Sequence, residues 1–324
     1  MVVGIFGTLG AFSSTAGFSS IPSTELLIKE STLAVIPLIE KCEPSDLGVI
    51  QSGINEPSTH EINEVWSVDG IVSRGRSEAS YWSKTSDLIC VAHWLTEADC
   101  ENIEQSTNAA YLSIFSVLRE HGFAYPFRFW NYLPGINNGN GDGEVYKRFC
   151  TGRLKAFETL NIEPESFPAA SALGHHAQGA VIYVFASSIK PQHFKNKKQV
   201  DAYNYPRQYG ISSPSFARAT ALKLAATPYL FISGTASIVG HKTIEAGSLD
   251  RQLAVTSENI EHLLATANPD NRALSTFKVY VRHSHHIART KEWLNQHYPN
   301  VDTVITVADI CRKDLLVEIE CFCQ

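Results

Sequence analysis

PYLFISGTASIVG (228–240), followed by SLDRQLAVTSENIEHLLATA (248–267), is the stretch that decides the fold. The first part alternates as a strand and ends in a glycine-bearing turn. In the second, Leu249, Leu253, Thr256, Ile260, Leu263 and Leu264 recur at helical spacing. Ser248 stands at the N-cap position, and Arg251 stands where a capping box would place an acid. FKVYVRHS (277–284) then reads as a strand and TKEWLNQHY (290–298) as a short helix. TVITVADI (303–310) and DLLVEIECF (314–322) are two more strands. The order is β–α–β–α–β–β.

The same order occurs upstream. SDLICVAHWL (86–95) is a strand, CENIEQSTNAAYLSIFSVLREHGF (100–123) a helix, FRFWNYLPGIN (127–137) a strand and GEVYKRFCTGRLKAFETL (143–160) a helix. FPAASALG (167–174) and AVIYVFAS (180–187) close the set as strands. Even the texture repeats, with Gln105 and Asn108 on one long helix and Gln252 and Asn259 on the other. An echo of this size predicts an α/β fold of two fused units, helices packed on mixed sheets. A length of 324 residues suits two domains better than one. The units are read as 1–187 and 217–324.

Between them lies SIKPQHFKNKKQVDAYNYPRQYGISSPSF (188–216), which is basic, aromatic and punctuated by Pro and Gly. It is longer than ordinary connections. The cluster of Tyr203, Tyr205, Tyr209 and Arg207 favours a ligand-binding loop over a solvated linker. Lys195, Lys197 and Lys198 either steer an anion toward it or form a solvated loop face.

Composition narrows the classes. Hydrophobic residues at 44% and charged residues at 19% support a large buried core rather than disorder. The net charge of −6 excludes an overall basic footprint for nucleic acid, so any anionic ligand must meet a local basic cluster. Seven cysteines contain no CxxC pair and read as reduced thiols of a cytoplasmic protein; Cys321 and Cys323 share a strand face but lack further ligands at a metal spacing. MVVGIFGTLGAFSS (1–14) has neither a basic leader nor a run long enough to span a bilayer, so no signal peptide and no membrane helix are expected. GIFGTLG (4–10) only loosely resembles a nucleotide loop and reads as a strand edge and turn. His175 and His176 are adjacent, and adjacent strand residues point to opposite faces. His283, His285 and His286 supply at most two ligands on one face, and no metal is expected. INNGNGDGE (136–144) lacks the spacing of a calcium loop and reads as a flexible turn.

SGTASIVG, the helix bearing Gln252 and Asn259, and RKDLLVEIECF resemble the RidA/YjgF domain over about the last third of the chain. RidA imine deaminases carry a carboxylate-binding Arg just before the Lys-Asp turn. Here Ile310 or Cys311 takes that place and Arg312 is displaced from it, which argues against imine or enamine deamination. A closer resemblance spans nearly the whole chain. RFWNYLPGIN, YKRFCTGR, YNYPRQYG and SGTASIVGH resemble chorismatases, in particular the hydroxybenzoate-forming branch. That family joins a degenerate RidA-like half to a better-preserved one, and it releases pyruvate from chorismate without a cofactor.

Such a reaction needs cations for two carboxylates, an acid protonated near neutral pH, and a shielded pocket. Alternation places Leu316, Glu318 and Glu320 on one face of the last strand and Leu315, Val317, Ile319 and Cys321 on the other. Alternation alone leaves Glu318 open between a solvent-facing Glu and a buried acid of raised pKa. The resemblance points to Glu318 as proton donor, with Glu320 as a supporting or exposed carboxylate. The first-unit strand AVIYVFAS is read with Ile182 and Val184 at the equivalent places.

The candidate cations are Arg148, Arg153 and Arg207, because guanidinium and carboxylate form bidentate pairs. Arg148 and Arg153 lie five apart on one helix, offset by more than one ideal face, and either could instead form a surface ion pair. Arg207 stands among Tyr203, Tyr205 and Tyr209, whose hydroxyls can bind ligand oxygens. Gly234 and Ala236 allow a ligand to approach the backbone closely. By resemblance, Ala236 and Cys311 shape the product. Water at the ring carbon gives a dihydrodiol acid, whereas capture by the neighbouring ring hydroxyl gives an aromatic hydroxybenzoate. Cys311 resembles the branch that makes 3-hydroxybenzoate and also 4-hydroxybenzoate; a buried structural thiol is the other reading. The rivals are a RidA-type deaminase and a non-catalytic ligand-binding protein. Monomer and trimer both stay open.

Overall fold

The computed structural model describes residues 15–58, 60–224, 227–268 and 271–324. The stretch 4–10 lies outside them. The described chain begins with β1 (Thr15–Ser19), the one-turn helix α1 (Ser23–Leu26), β2 (Thr32–Pro37) and β3 (Asn63–Ser67). The three strands form an antiparallel sheet in the order β1-β3-β2, which the sequence reading did not anticipate.

The first unit continues with β4 (Ser73–Ser77), β5 (Ser80–Lys84), β6 (Leu88–Leu95), α2 (Glu97–Glu101) and α3 (Ile103–Glu120). Then come β7 (Tyr125–Pro134), α4 (Val145–Thr159), β8 (Ala169–His175) and β9 (Ala180–Ser187). The second unit holds β10 (Gln192–Phe194), β11 (Ala219–Leu224), β12 (Thr227–Ala236), the small hairpin β13 (Ile238–Val239) and β14 (Lys242–Thr243), and α5 (Leu249–Ala267). It ends with β15 (Leu274–Val281), α6 (Ile287–His297), β16 (Asp302–Val307), β17 (Asp309–Ile310) and β18 (Val317–Cys323).

The sequence echo is an identity of topology. The first large sheet runs β8-β7-β9-β6-β5-β4 and the second β16-β15-β18-β12-β11-β10. Each contains one parallel pair, β7 with β8 and β15 with β16, and is otherwise antiparallel. Two departures matter. β10 lies inside the segment read as a loop, pairing with β11 at the edge of the second sheet. β17 leaves its own unit and adds to the edge of the first sheet, with Ile310 opposite Leu173.

Helices cover the outer face of each sheet. Tyr111, Ile114, Phe149 and Phe157 of α3 and α4 pack on Phe129, Ile182 and Val184. Leu253, Ile260 and Trp293 of α5 and α6 pack on Val279, Ile319 and Cys321. The inner faces meet through Trp66, Trp130, Tyr183, Phe185, Phe231 and Phe322. Trp66 of the N-terminal sheet stands edge-on to Phe185 at 4.7 Å, closing one end of this layer. Burial of each such ring stabilises the sandwich by roughly 1.5–3 kcal/mol.

The strand contrast drawn from sequence is off by one residue. Tyr183 and Phe185, not Ile182 and Val184, face the opposite sheet as Glu318 and Glu320 do. β9 is buried along its whole length, so no polar residue marks the phase of its alternation. Ser248 occupies the N-cap of α5 without a side-chain cap bond, and Arg251 pairs with Glu245 on the surface. Among the described residues, no helix is long and apolar enough to cross a membrane.

Candidate active site

Alternation along β18 turns Glu318, Glu320 and Phe322 toward the first sheet and Ile319 and Cys321 toward the helices. Glu318 lies between Ala236 of β12 and Tyr280 of β15 in register. The β12–β18 ladder shifts register between Ile232 and Thr235, at the SGT stretch. Glycine in a strand marks such a bulge or a close approach, and both occur here. A Cβ at position 234 would collide with the Glu318 carboxyl and press on Ser171 Oγ.

The two carboxylates have different surroundings. Glu320 accepts from Arg128 Nη2 at 2.5 Å, from Trp130 Nε1 at 2.9 Å and from Ser171 Oγ at 2.6 Å. Ser171 Oγ itself accepts from Arg128 at 2.7 Å and from the Gly234 N–H at 3.0 Å. The Glu318 side chain is buried, and among the described residues nothing donates a hydrogen bond to it. Burial first, and then the Glu320 charge, push its carboxyl up to about 8; Arg128, Arg218 and Arg282 pull the other way. Near pH 7 this group holds a proton.

Glu318 opens on a cavity of about 510 Å³ between the units, with Tyr205, Tyr209, Arg218, Gly234, Ala236 and Cys311 in its walls. That volume suits a small-molecule ligand. A smaller space of about 30 Å³ adjoins it, bounded by Tyr146, Arg153, Ser171, Phe216, Cys311 and Glu318. Three arginines here make no ion pair among the described residues. Arg153 is 2% exposed, its guanidinium sits 5.0 Å from the Phe149 ring centre, and its Nε has no partner. Arg218 donates to Val200 O at 2.9 Å and Tyr205 Oη at 2.8 Å and keeps a buried, unpartnered Nε. Arg312 lies 4.0 Å over the Tyr209 ring and donates to His241 O at 2.9 Å. Buried cations without counterions are costly unless a ligand anion supplies them.

The wall that carries Cys311 and Arg312 is pinned from two sides, and the strand beside it from a third. Arg282 donates to Asp309 Oδ1, Ile310 O, Arg312 O and Leu315 O, all between 2.7 and 2.9 Å. Gln252 accepts from Leu316 N–H at 2.8 Å and donates to Asp314 O at 2.7 Å. Asn259 donates to Ala236 O and Ile238 O at 3.1 and 3.0 Å, fixing the strand beside Gly234. Burial, and then nearby Glu318, push the Cys311 thiol up to about 12, so it stays protonated.

The structure brings Glu318, Cys311, Tyr205, Tyr209, Gly234 and Ala236 to the cavity and Arg153 to the space beside it. Three other expected residues lie elsewhere. Arg148 faces the α2–α3 junction and donates to Asn102 Oδ1 at 2.9 Å, because five residues of helix turn it away from Arg153. Arg207 is exposed and forms a bidentate pair with Asp142 at 2.9 and 2.8 Å, joining the loop to the 136–144 turn. Tyr203 packs edge-on to Phe167 at 5.9 Å, with Lys195 over its ring. Lys195 and Lys198 pair with Asp201 and Glu258. The sequence reading missed Arg128, Tyr146, Ser171 and Arg218. Alternation along FRFWNY places Arg128 and Trp130 on one face, a signal available from sequence; their partner 190 residues away is not.

The rings of His283 and His285 stack with centres 5.3 Å apart, and His286 stands edge-on to both at 5.3 and 4.3 Å. Among the described residues, no group of three or more His, Cys, Asp or Glu could hold a metal ion.

A family model described as "Chorismatase FkbO/Hyg5-like, N-terminal" matches residues 64–186. The chain is 35% identical to a 3-hydroxybenzoate synthase of Streptomyces hygroscopicus over 90% of its own length and 92% of that protein. It is 34% identical to a chorismatase of Streptomyces rapamycinicus, covering 79% of this chain and 80% of the relative. A crystal structure of a chorismatase superposes with a TM-score of 0.86 at 27% identity, covering 98% of this chain and 100% of that one. A buried acid facing unpaired arginines across the junction of two like units thus sits in a fold shared along nearly its whole length, and the chain belongs to the chorismatase family.

Proposed function

We propose that the chain cleaves the enolpyruvyl ether of chorismate, releasing pyruvate and forming 3-hydroxybenzoate. The observation that carries this reading is Glu318, a carboxyl kept in its acid form within a cavity whose arginines lack counterions. The names of the relatives support the substrate and the product.

Glu318 gives its proton to the terminal methylene carbon of the enolpyruvyl group. The enolpyruvyl group becomes an oxocarbenium-like cation, and the ring-carbon–oxygen bond breaks as that oxygen becomes the ketone of pyruvate. The neighbouring ring hydroxyl captures the ring carbon and gives up its proton. The epoxide so formed reopens with loss of a ring proton to leave the aromatic hydroxybenzoate; of the two protons released, one goes to the opened oxygen and the other restores Glu318. Chorismate already contains every atom of the two products, so no water is consumed. General acid catalysis of this kind favours a pKa near the working pH.

Arg153 is suited to one carboxylate, and Arg218 with Arg312 to the other, while Tyr205 and Tyr209 flank the ring. Cys311 closes the wall beside Glu318 and keeps water from the ring carbon. The domain division we favour is 1–187, 188–216 and 217–324, with the middle segment supplying part of the cavity wall. All seven cysteines are free, which fits the reducing cytoplasm.

The test is incubation of the purified protein with chorismate, followed by a pyruvate assay and chromatographic separation of the products. Pyruvate with 3-hydroxybenzoate, abolished in Glu318→Gln, is expected. Pyruvate with only a dihydrodiol acid would overturn the product assignment, and no pyruvate would overturn the reading.

A further inference from the structure

Nothing in the reaction requires a second buried carboxylate, yet Glu320 stands two residues from Glu318 on the same strand face, about 7 Å along it. It holds three donors, and two of them border the acid as well. Ser171 Oγ lies against the same Gly234 position that the Glu318 carboxyl fills, and the charge of Arg128 acts on Glu318. Either group, turned to Glu318, would hold it as a carboxylate and disable it as an acid. Instead the Ser171 hydroxyl hydrogen is directed to Glu320, and its oxygen accepts from Arg128 and Gly234 N–H. Arg128 is occupied by Glu320, Ser171 and Phe129 O.

We propose that Glu320 is a positioning residue: by holding Arg128 and Ser171 it keeps these two donors off Glu318 and so preserves the acid that the reaction uses. This rests on Glu318 being the proton donor. The other ionisable or charged groups around Glu318 are Tyr146 and Arg153 from α4, Arg218 ahead of β11, Tyr280 and Arg282 of and after β15, and Cys311 and Arg312 of the pinned wall. None of these pairs with Glu320.

Glu320→Gln removes the counterion and leaves Arg128 facing Glu318 uncompensated. The expected result is an alkaline limb of the kcat–pH profile moved to lower pH by at least one unit. Turnover near pH 7.5 should fall at least threefold and recover on acidification, with KM changed less than twofold. Arg128→Gln/Glu320→Gln removes cation and anion together and should return the limb toward its original position. A Glu320→Gln enzyme that folds but loses activity equally at every pH, or keeps the wild-type limb, overturns the proposal. Should Glu320→Gln not fold, Glu320→Asp and the double variant carry the same comparison. Glu318→Gln is measured alongside: if it stays active, Glu318 is not the acid and the premise fails, a result separable from an unmoved limb in an enzyme that still depends on Glu318.

Discussion

The carboxyl of Glu318 occupies the space in which any residue but glycine at position 234 would carry its Cβ. The Gly234 backbone is outside the left-handed region, so what the position demands is room rather than a special conformation. Gly234→Ala should therefore fold while displacing the acid. A misplacement of about 1 Å can cost ~100-fold in rate, and kcat for pyruvate release is expected to fall by about that factor with an unchanged circular dichroism spectrum. A full-speed Gly234→Ala enzyme would show that the seat of Glu318 does not set the rate.

The acid form of Glu318 gives the rate a direction in pH. Turnover should be flat toward pH 7 and decline as pH rises through about 8, where the proton is lost. Steady-state kcat measured from pH 6 to 9.5 checks this; a rate that rises through that window would remove Glu318 from the acid role.

Stability should run in the same sense. The folded chain keeps the Glu318 proton up to about 8, whereas the ordinary value is 4.5. Between those limits the folded state binds more protons than the unfolded one, so stability is lost as pH rises across the window. The loss is on the order of a few kcal/mol above pH 8 and vanishes below the unfolded value. Glu318→Gln should consequently melt about 5 °C above wild type at pH 8.5 and together with it at pH 4.5, as read by thermal denaturation.

The arginines divide by what they touch. Arg153→Gln removes a buried cation with no counterion of its own and should lower kcat/KM by about 100-fold or more. Arg148→Ala and Arg207→Ala break contacts to Asn102 and Asp142 outside the cavity wall and should change kcat/KM less than about fivefold. Equal losses in all three variants would mean that the anion is held elsewhere.

Cys311 borders both the main cavity and the smaller space beside Glu318. Cys311→Ala widens that wall, and the fraction of non-aromatic dihydrodiol among the products is expected to rise severalfold while pyruvate release continues. Chromatography of the product mixture decides it; an unchanged ratio would assign the thiol to packing alone.

Local pattern carried part of this structure and could not carry the rest. The acids of β18 and the glycine of β12 were legible because each breaks an apolar alternation. β9, apolar on both faces, offered no such mark, and its register was misjudged by one. Arg207 drew attention through its three neighbouring tyrosines, but its partner Asp142 sits in a turn that sequence describes only as flexible. Arg128 and Ser171 matter through Glu320, 192 and 149 residues away, and no local pattern reports such a meeting. The polar strand SRGRS of β4 carries little hydrophobic signal because it lies at the sheet edge and is largely exposed.

β17 belongs to one half by sequence and to the other by hydrogen bonding. The two residues Asp309 and Ile310 are thus stitched into the opposite sheet before the chain returns to deliver Glu318. A polypeptide severed between 187 and 188 would separate Cys311 and Arg312 from the edge that seats them and leave β8 bare to pair with a stranger. Two units of like topology are thereby locked together, so that neither can be removed without dismantling the wall of the cavity.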